Sequence, residues 1–308
     1  MKRILVTGGA GFIGSHLVKA LVKSNHNVLV VDDLSFGKKE FLPLNGSLKF
    51  VQLDITNKIL LEEIFLQFKP EIVVHLAAIH FIPYCNAHPV ETSKVNIIGT
   101  RNILDICRNT IPEMVLYAST AAVYPIRDEA NDEESEVNPI DIYGITKLAG
   151  EDLCKLFYNE TGINTVVMRF FNAYGPNETN AHVIPEIVRQ LKSGKRKIEL
   201  GNLAPKRDYI HVKDKAKAIM ALMEKVKNGY QVVNIGSGNE YSVSEILRYC
   251  EEILKENIEV VSTKERTRKM ERKHLLANIN KIKNLTGWSP RVEFKAGLRD
   301  LLLRVNGN

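Results

Sequence analysis

Cysteine is scarce, long apolar runs are missing, and no segment repeats or falls into low complexity. The four cysteines, Cys85, Cys107, Cys154 and Cys250, are far apart and form no C-x-x-C pair. No histidine stands at a zinc-like spacing from them, so each is expected to be a small buried apolar residue in a reducing compartment, and no metal site is expected. A membrane-spanning helix needs about 20 consecutive apolar residues, and no stretch approaches that. The first expected strand begins at residue 3, which leaves no room for a signal peptide, so the cytoplasm is the expected location.

An acidic balance is also lacking: 42 Lys and Arg stand against 36 Asp and Glu, a net charge of +6. That surplus raises the question of nucleic acid. Much of it is local, with six basic and two acidic residues in 264–273. Neither a recognisable nucleic-acid module nor interleaved aromatics accompany it. A small anionic ligand is therefore the expected partner, with no nucleic acid and no membrane, and any single lysine can equally belong to a solvated face.

What is present is an alternation. Short runs rich in β-branched residues (4–6, 28–31, 50–53, 72–76, 115–118 and 165–168) are separated by amphipathic segments such as Ile13, Leu17 and Leu21 at spacing four. Near-continuous apolar strands between helices indicate a parallel sheet covered on both faces. The stretch 127–139 is acidic, poor in large apolar residues and reads as an exposed loop. Beyond residue 172 the rhythm loosens. Helices are expected over 183–192, 212–225 and 243–255, short strands over 198–200, 232–235 and 258–261, and a last helix ends near Arg304. The expected organisation is a first domain over 1–172 with segments of about 208–237 returning to its sheet. A smaller α/β substrate region would comprise 173–207 and 238–308.

The first strand runs into Gly8-Gly9-Ala10-Gly11-Phe12-Ile13-Gly14 and then a helix. Gly8 permits a tight turn, Gly11 lets backbone N–H groups approach a pyrophosphate, and Gly14 lets helix and strand pack closely. The positive end of the helix then faces the phosphates. About twenty residues on, Asp32 is placed to accept the adenosine ribose hydroxyls, and its charge would repel a 2′-phosphate, which favours NAD over NADP. Asp54 and Ile55 end the third strand, where Asp54 either meets the adenine amine or caps the turn that follows.

Six motifs follow one another in the chain: Thr7-Gly8-x-x-Gly11-x-x-Gly14, His75-Leu76-Ala77-Ala78, Asn96-x-x-Gly99-Thr100, Tyr143-x-x-x-Lys147, Arg169-Phe170-Phe171-Asn172 and Arg207-Asp208-Tyr209-Ile210-His211-Val212. Together the chain resembles the extended short-chain dehydrogenase/reductase family that epimerises, dehydrates or reduces nucleotide sugars, and within it the UDP-glucose 4-epimerase-like enzymes. The resemblance covers nearly the whole chain. It implies a Rossmann-type doubly wound parallel sheet with a smaller C-terminal α/β domain, NAD as cofactor, a nucleotide-diphosphate sugar as substrate, and a homodimer formed through helices near 95–108 and 143–160. It also implies that Phe12, Ile13, Ala77, Ala78, Asn96 and Ser119 line the NAD site. His80 stands where some of these epimerases carry Lys and serves either packing or the cofactor.

A second Tyr-x-x-x-Lys match, Tyr209–Lys213, lies in a strand-like segment, whereas Tyr143 and Lys147 share one face of a helix. Taking a hydride from a sugar carbinol needs a base for the hydroxyl proton, and an unperturbed tyrosine, with pKa near 10, is too weakly ionised at neutral pH. An adjacent ammonium favours the phenolate, so Lys147 is expected to activate Tyr143 and to hold the nicotinamide ribose. Thr120 is expected to bind the reacting oxygen. Dehydratases of the family carry Asp-Glu after this Thr, and its decarboxylases usually have Glu nearby, but here Ala121-Ala122 cannot transfer protons. A 4-epimerisation is the first expectation and a 4-dehydrogenase or reductase the second. A non-catalytic NAD sensor would be expected to lose Tyr143 or Lys147.

By the same resemblance, Asn172 and Arg207 contact the nucleotide diphosphate. Arg268 is the expected second phosphate clamp, for which Arg266 or Arg272 could substitute, and Glu271 takes the place of a ribose-binding Asp. Leu275 falls where some relatives carry a Tyr that limits room at the sugar C2.

Overall fold

The computed structural model describes residues 1–262 and 272–304. Six strands of the first half are β1 (Arg3–Thr7), β2 (Asn27–Asp32), β3 (Leu48–Gln52), β4 (Ile72–His75), β5 (Met114–Thr120) and β6 (Asn164–Phe170). Three shorter ones follow, β7 (Asn172–Tyr174), β8 (Lys197–Leu200) and β9 (Lys206–His211), then β10 (Tyr230–Ile235), β11 (Glu240–Ser242) and β12 (Glu259–Ser262). The large sheet has seven strands in the order β10-β6-β5-β4-β1-β2-β3, and every neighbouring pair is parallel. The order reverses between β1 and β4. At such a switch point two crossover loops diverge and leave a crevice at the carboxyl ends of the strands.

The helices are α1 (Phe12–Lys23), α2 (Lys58–Phe68), α3 (Ile82–Ala87), α4 (Pro89–Ser93), α5 (Thr100–Thr110), α6 (Ile142–Thr161), α7 (Val183–Lys192), α8 (Val212–Lys225), α9 (Val243–Leu254), α10 (Asn280–Thr286) and α11 (Phe294–Leu303). A π-helical stretch, Lys94–Gly99, joins α4 to α5. On one face of the sheet Leu17 and Val18 of α1, Ile219 and Leu222 of α8 and Ile282 of α10 share a core with the strands. On the other, Leu61 and Phe65 of α2, Ile103 and Ile106 of α5 and Phe157 of α6 do the same. Each such fully buried side chain contributes roughly 1.5–3 kcal/mol. The strands alternate between these two cores, which is why they read as apolar at every position. All four cysteines are free and buried. Among the described residues no helix is long and apolar enough to cross a membrane.

Two expectations need correction. Of the stretch 208–237, only β10 enters the large sheet, while β9 pairs with β7 in parallel and with β11 antiparallel in a separate three-stranded sheet. β9 carries Lys, Arg and Asp in its first half, and its buried Tyr209 shares a third core with Phe294 and Leu298 of α11. The acidic stretch 127–139 is not wholly exposed either. Asn131 is buried and bridges to Ala277, and the Glu133 carboxylate accepts the Asn234 N–H at 2.7 Å, so the stretch straps the C-terminal segment to β10.

Candidate active site

One cavity of about 1120 Å³ opens at the switch point and is lined both by strand ends of the large sheet and by residues of the smaller C-terminal core. It is larger than the ~300–1,000 Å³ of an ordinary small-molecule site. At one end β1 turns into α1. Gly8 takes φ +70°, and a Cβ there would meet the Ala77 backbone nitrogen at 2.7 Å. At Gly14 a Cβ would lie 2.1 Å from the Gly8 carbonyl oxygen, so only glycine lets the first turn of α1 sit on the loop backbone. Gly11, Phe12, Ile13 and Gly14 line the cavity, and no side chain caps the start of α1. Its first N–H groups and the positive helix end are therefore available to an anion.

Asp32, the last residue of β2, is buried at the cavity wall. Its Oδ2 accepts the Ala10 N–H and its Oδ1 the Leu34 N–H, both at 2.9 Å. Burial pushes its pKa up, and those backbone N–H groups pull it back down. Each carboxylate oxygen keeps a second lone pair for a ribose hydroxyl. A cradle that any Cβ would fill, followed by a carboxylate at the next strand end, fits a dinucleotide. Asp54 lies exposed at the cavity edge with Ile55, and its Oδ1 accepts the Thr56 N–H at 2.8 Å. The cap of α2 is Asn57, whose side chain accepts from Leu60.

Thr120 ends β5, and its Oγ1 accepts the Ala122 N–H at 3.1 Å, which starts the 3-10 turn Ala121–Val123. Asp141 caps α6 by accepting the Gly144 N–H at 2.8 Å. That cap sets Tyr143 in the first turn and Lys147 one turn further on. α6 lies very close to β5, since a Cβ on Gly150 would be 2.0 Å from the Tyr117 hydroxyl. The result is that Thr120, Tyr143 and Lys147 all face the cavity. Lys147 Nζ lies 4.3 Å from the centroid of the Tyr117 ring. Burial acts on both titrating groups: it raises the Tyr143 pKa and lowers that of Lys147 to about 7. A low-dielectric pocket penalises either charge alone, so the two groups favour proton exchange only when a further charge enters.

Behind this pair, Ser119 bonds to the Glu151 carboxylate, which forms a buried ion pair with Arg169 at 2.8 Å. His75 is clamped between Thr7 Oγ1 at 2.7 Å and Thr100 Oγ1 at 3.0 Å, and burial lowers its pKa to about 3. Asn96 does not line the cavity, contrary to expectation. Its side chain is buried, accepting the Ile79 N–H at 2.8 Å and donating to the Ile79 carbonyl at 2.9 Å and Thr146 Oγ1 at 3.0 Å. It pins the loop bearing Ala77, Ala78 and His80, all three of which do line the cavity.

At the other end Asn172, Arg207 and Leu275 line the wall. Arg207 donates to the Arg272 carbonyl at 2.7 Å, and Leu275 accepts the Asp208 N–H at 2.8 Å. Arg268, Glu271 and Arg266 lie outside the described residues. Arg272 is in the wall and donates to the Ala122 and Tyr124 carbonyls, both at 3.0 Å. Sequence reasoning missed Glu178, His182 and Lys215, which also line the cavity. The signal for Lys215 was legible: it sits three residues after Val212 and four before Ile219, on the buried face of α8. Burial lowers its pKa to about 7, and its Nζ donates to the Phe171 carbonyl at 2.7 Å. Glu178 and His182 had no such periodicity to mark them.

Residues 4–236 match the NAD dependent epimerase/dehydratase family. A putative UDP-glucose 4-epimerase of Methanocaldococcus jannaschii is 35% identical over 99% of both chains. A UDP-N-acetyl-alpha-D-glucosaminuronate decarboxylase of Bacillus cytotoxicus is 31% identical over 98% of this chain and 97% of its own. The crystal structure of a Thermotoga maritima UDP-glucose 4-epimerase with UDP-glucose, 32% identical, superposes with a TM-score of 0.89 over 97% of each chain. Sheet order, glycine cradle and full-length similarity agree, and the chain belongs to the NAD-dependent epimerase/dehydratase family as an enzyme that uses NAD.

Proposed function

We propose that this protein is a nucleotide-sugar 4-epimerase acting on a UDP-hexose, in its plain or N-acetylated form. The observation that carries the reading is the wall beside the catalytic group. Thr120 and Tyr143 face the same cavity, and the two residues after Thr120, Ala121 and Ala122, are buried and carry no group able to move a proton. Elimination of water needs an acid and a base at adjacent carbons, whereas epimerisation at C4 needs only one proton site and a redox partner.

A bound NAD would supply the hydride acceptor and donor for C4 of the sugar. Tyr143 takes the C4 hydroxyl proton and gives it back, a role typically worth 10²–10⁴-fold. Lys147, held one turn away, supplies the positive charge that offsets the burial of the phenolate. Thr120 orients the reacting oxygen. Gly8, Gly11, Phe12, Ile13 and Gly14 hold the NAD pyrophosphate, Asp32 the adenosine ribose, and Asp54 with Ile55 the adenine. Ala77, Ala78, His80 and Ser119 flank the nicotinamide. Asn172 and Arg207 bind the substrate diphosphate, for which planar guanidinium groups suit paired oxygens, and Arg268 and Glu271 act with them. We assign residues 1–172, with β10, to NAD and the remainder to the sugar nucleotide, and we expect a homodimer through the faces of α5 and α6.

Incubation with a panel of UDP- and GDP-hexoses, read by NMR, tests this. The expected result is interconversion of a C4 epimer pair, no net NADH, and retention of deuterium at C4. Stoichiometric NADH with a keto-sugar product would establish the 4-dehydrogenase instead, and no turnover of any sugar would point to a sensor.

A further inference from the structure

Three side chains that move no proton in the proposed reaction converge on the cavity: His80 in the loop after β4, and Glu178 and His182 between β7 and α7. One ligand atom from each, two imidazole nitrogens and one carboxylate oxygen, lies within 4.8 Å of the others. We propose that His80, Glu178 and His182 form a three-ligand site for one divalent transition-metal ion of the zinc class, with its remaining position open to the cavity.

The donor set is the first argument. Two histidines and one carboxylate suit zinc and its neighbours, and three protein ligands leave a coordination position free. The second is the orientation of His80. Its Nε2 lies 3.2 Å from the Asn180 side-chain nitrogen, a donor, so Nε2 is the lone-pair nitrogen and points towards Glu178 and His182. The third is what lies between the acceptors. The Asn180 side chain bonds to His80 Nε2, and the Glu178 carboxylate accepts the Asn180 backbone N–H at 3.0 Å. Both acceptors thus turn to N–H donors of one residue between them, and a cation satisfies the same pair more strongly.

The geometry asks for little movement. Ligands about 2.1 Å from a tetrahedral ion are about 3.4 Å apart, so separations up to 4.8 Å close by side-chain rotation of about an ångström or so. Lys147 and Lys215 add positive potential at His80 and oppose a cation, while the Glu178 carboxylate offsets one of them. The sequence offered no metal pattern because His80 is far along the chain from Glu178-x-x-x-His182, and only the fold joins them.

Binding does not depend on which sugar is turned over, so it is measured without sugar on protein that keeps its NAD. Protein stripped with a chelator and dialysed is titrated with zinc against a chromophoric chelator. One zinc per chain is expected, with Glu178→Gln and His182→Ala each weakening it at least about tenfold and Asn180→Ala holding or tightening it. Zinc should raise the melting temperature of the wild type and not of the His80→Ala/His182→Ala double variant. Crystals of the wild-type protein with zinc should show an anomalous peak between the three side chains. Absence of stoichiometric binding, or binding unchanged in the double variant, or a peak elsewhere, would overturn the site.

Discussion

The two ends of the cavity are built differently. At the cofactor end Asp32 and Thr120 are each the last residue of a strand in a seven-stranded parallel sheet, held in register by neighbours on both sides. At the opposite end the lining residues come from short strands and connecting segments: Arg207 from a three-stranded sheet, Glu178 and His182 from the run between β7 and α7, and Leu275 from an extended stretch tied to β9 by the Asp208 N–H. The first end places atoms by a sheet whose geometry is hard to alter. The second can change a residue without disturbing the chemistry, which is why relatives with different substrates keep one fold.

That contrast is open to attack from both sides. The largest effect is expected at the rigid end, where Tyr143→Phe should lower kcat at least about hundredfold with NAD affinity unchanged in a titration. A near-normal rate would show that the proton site lies elsewhere. Next is Asp32→Ala, which removes a charged acceptor worth about 1.5–3 kcal/mol per hydrogen bond. The preference for NAD over NADP, read as a ratio of Kd values, should fall at least about tenfold, and an unchanged ratio would detach Asp32 from the ribose.

At the variable end Leu275→Tyr should act on choice rather than rate. The added ring fills space beside the sugar, and overpacking costs about 1–3 kcal/mol. kcat/KM should drop by roughly five- to hundredfold for the N-acetylated sugar alone. Equal losses for both sugars would make Leu275 simply part of the core in which it is also buried.

The smallest expected effect concerns Lys215. Its folded pKa is lowered to about 7 from 10.5, so between those values the unfolded chain binds one more proton than the native one. Stability contributed by this position therefore rises as pH increases from about 7 towards 10.5. Lys215→Met should remove that part of the slope in chemical unfolding measured from pH 7 to 9. The same slope in the variant would mean that Lys215 titrates normally.

Legibility followed the same divide. The six early strands, the turn at Gly8 and the Tyr143–Lys147 pair could be read because they depend on local pattern: a short continuous apolar run for strands, a period of 3.6 for helices, and a glycine wherever backbone meets backbone. Asn96 was misplaced because a motif position says nothing of which way an amide points, and here it turns inward to Ile79 and Thr146. β9 was misassigned because its two apolar residues, Tyr209 and Ile210, do not say which sheet the strand joins. The order of apolar runs and the glycine spacing thus settled the architecture and the dinucleotide cradle from sequence alone, since each strand, helix and tight turn announces itself in its own local stretch of chain. Tertiary structure alone decided that His80 meets Glu178 and His182, and that the stretch holding Asn131 and Glu133 ties Ala277 to β10. Those contacts join segments far apart in sequence, and no local period encodes them.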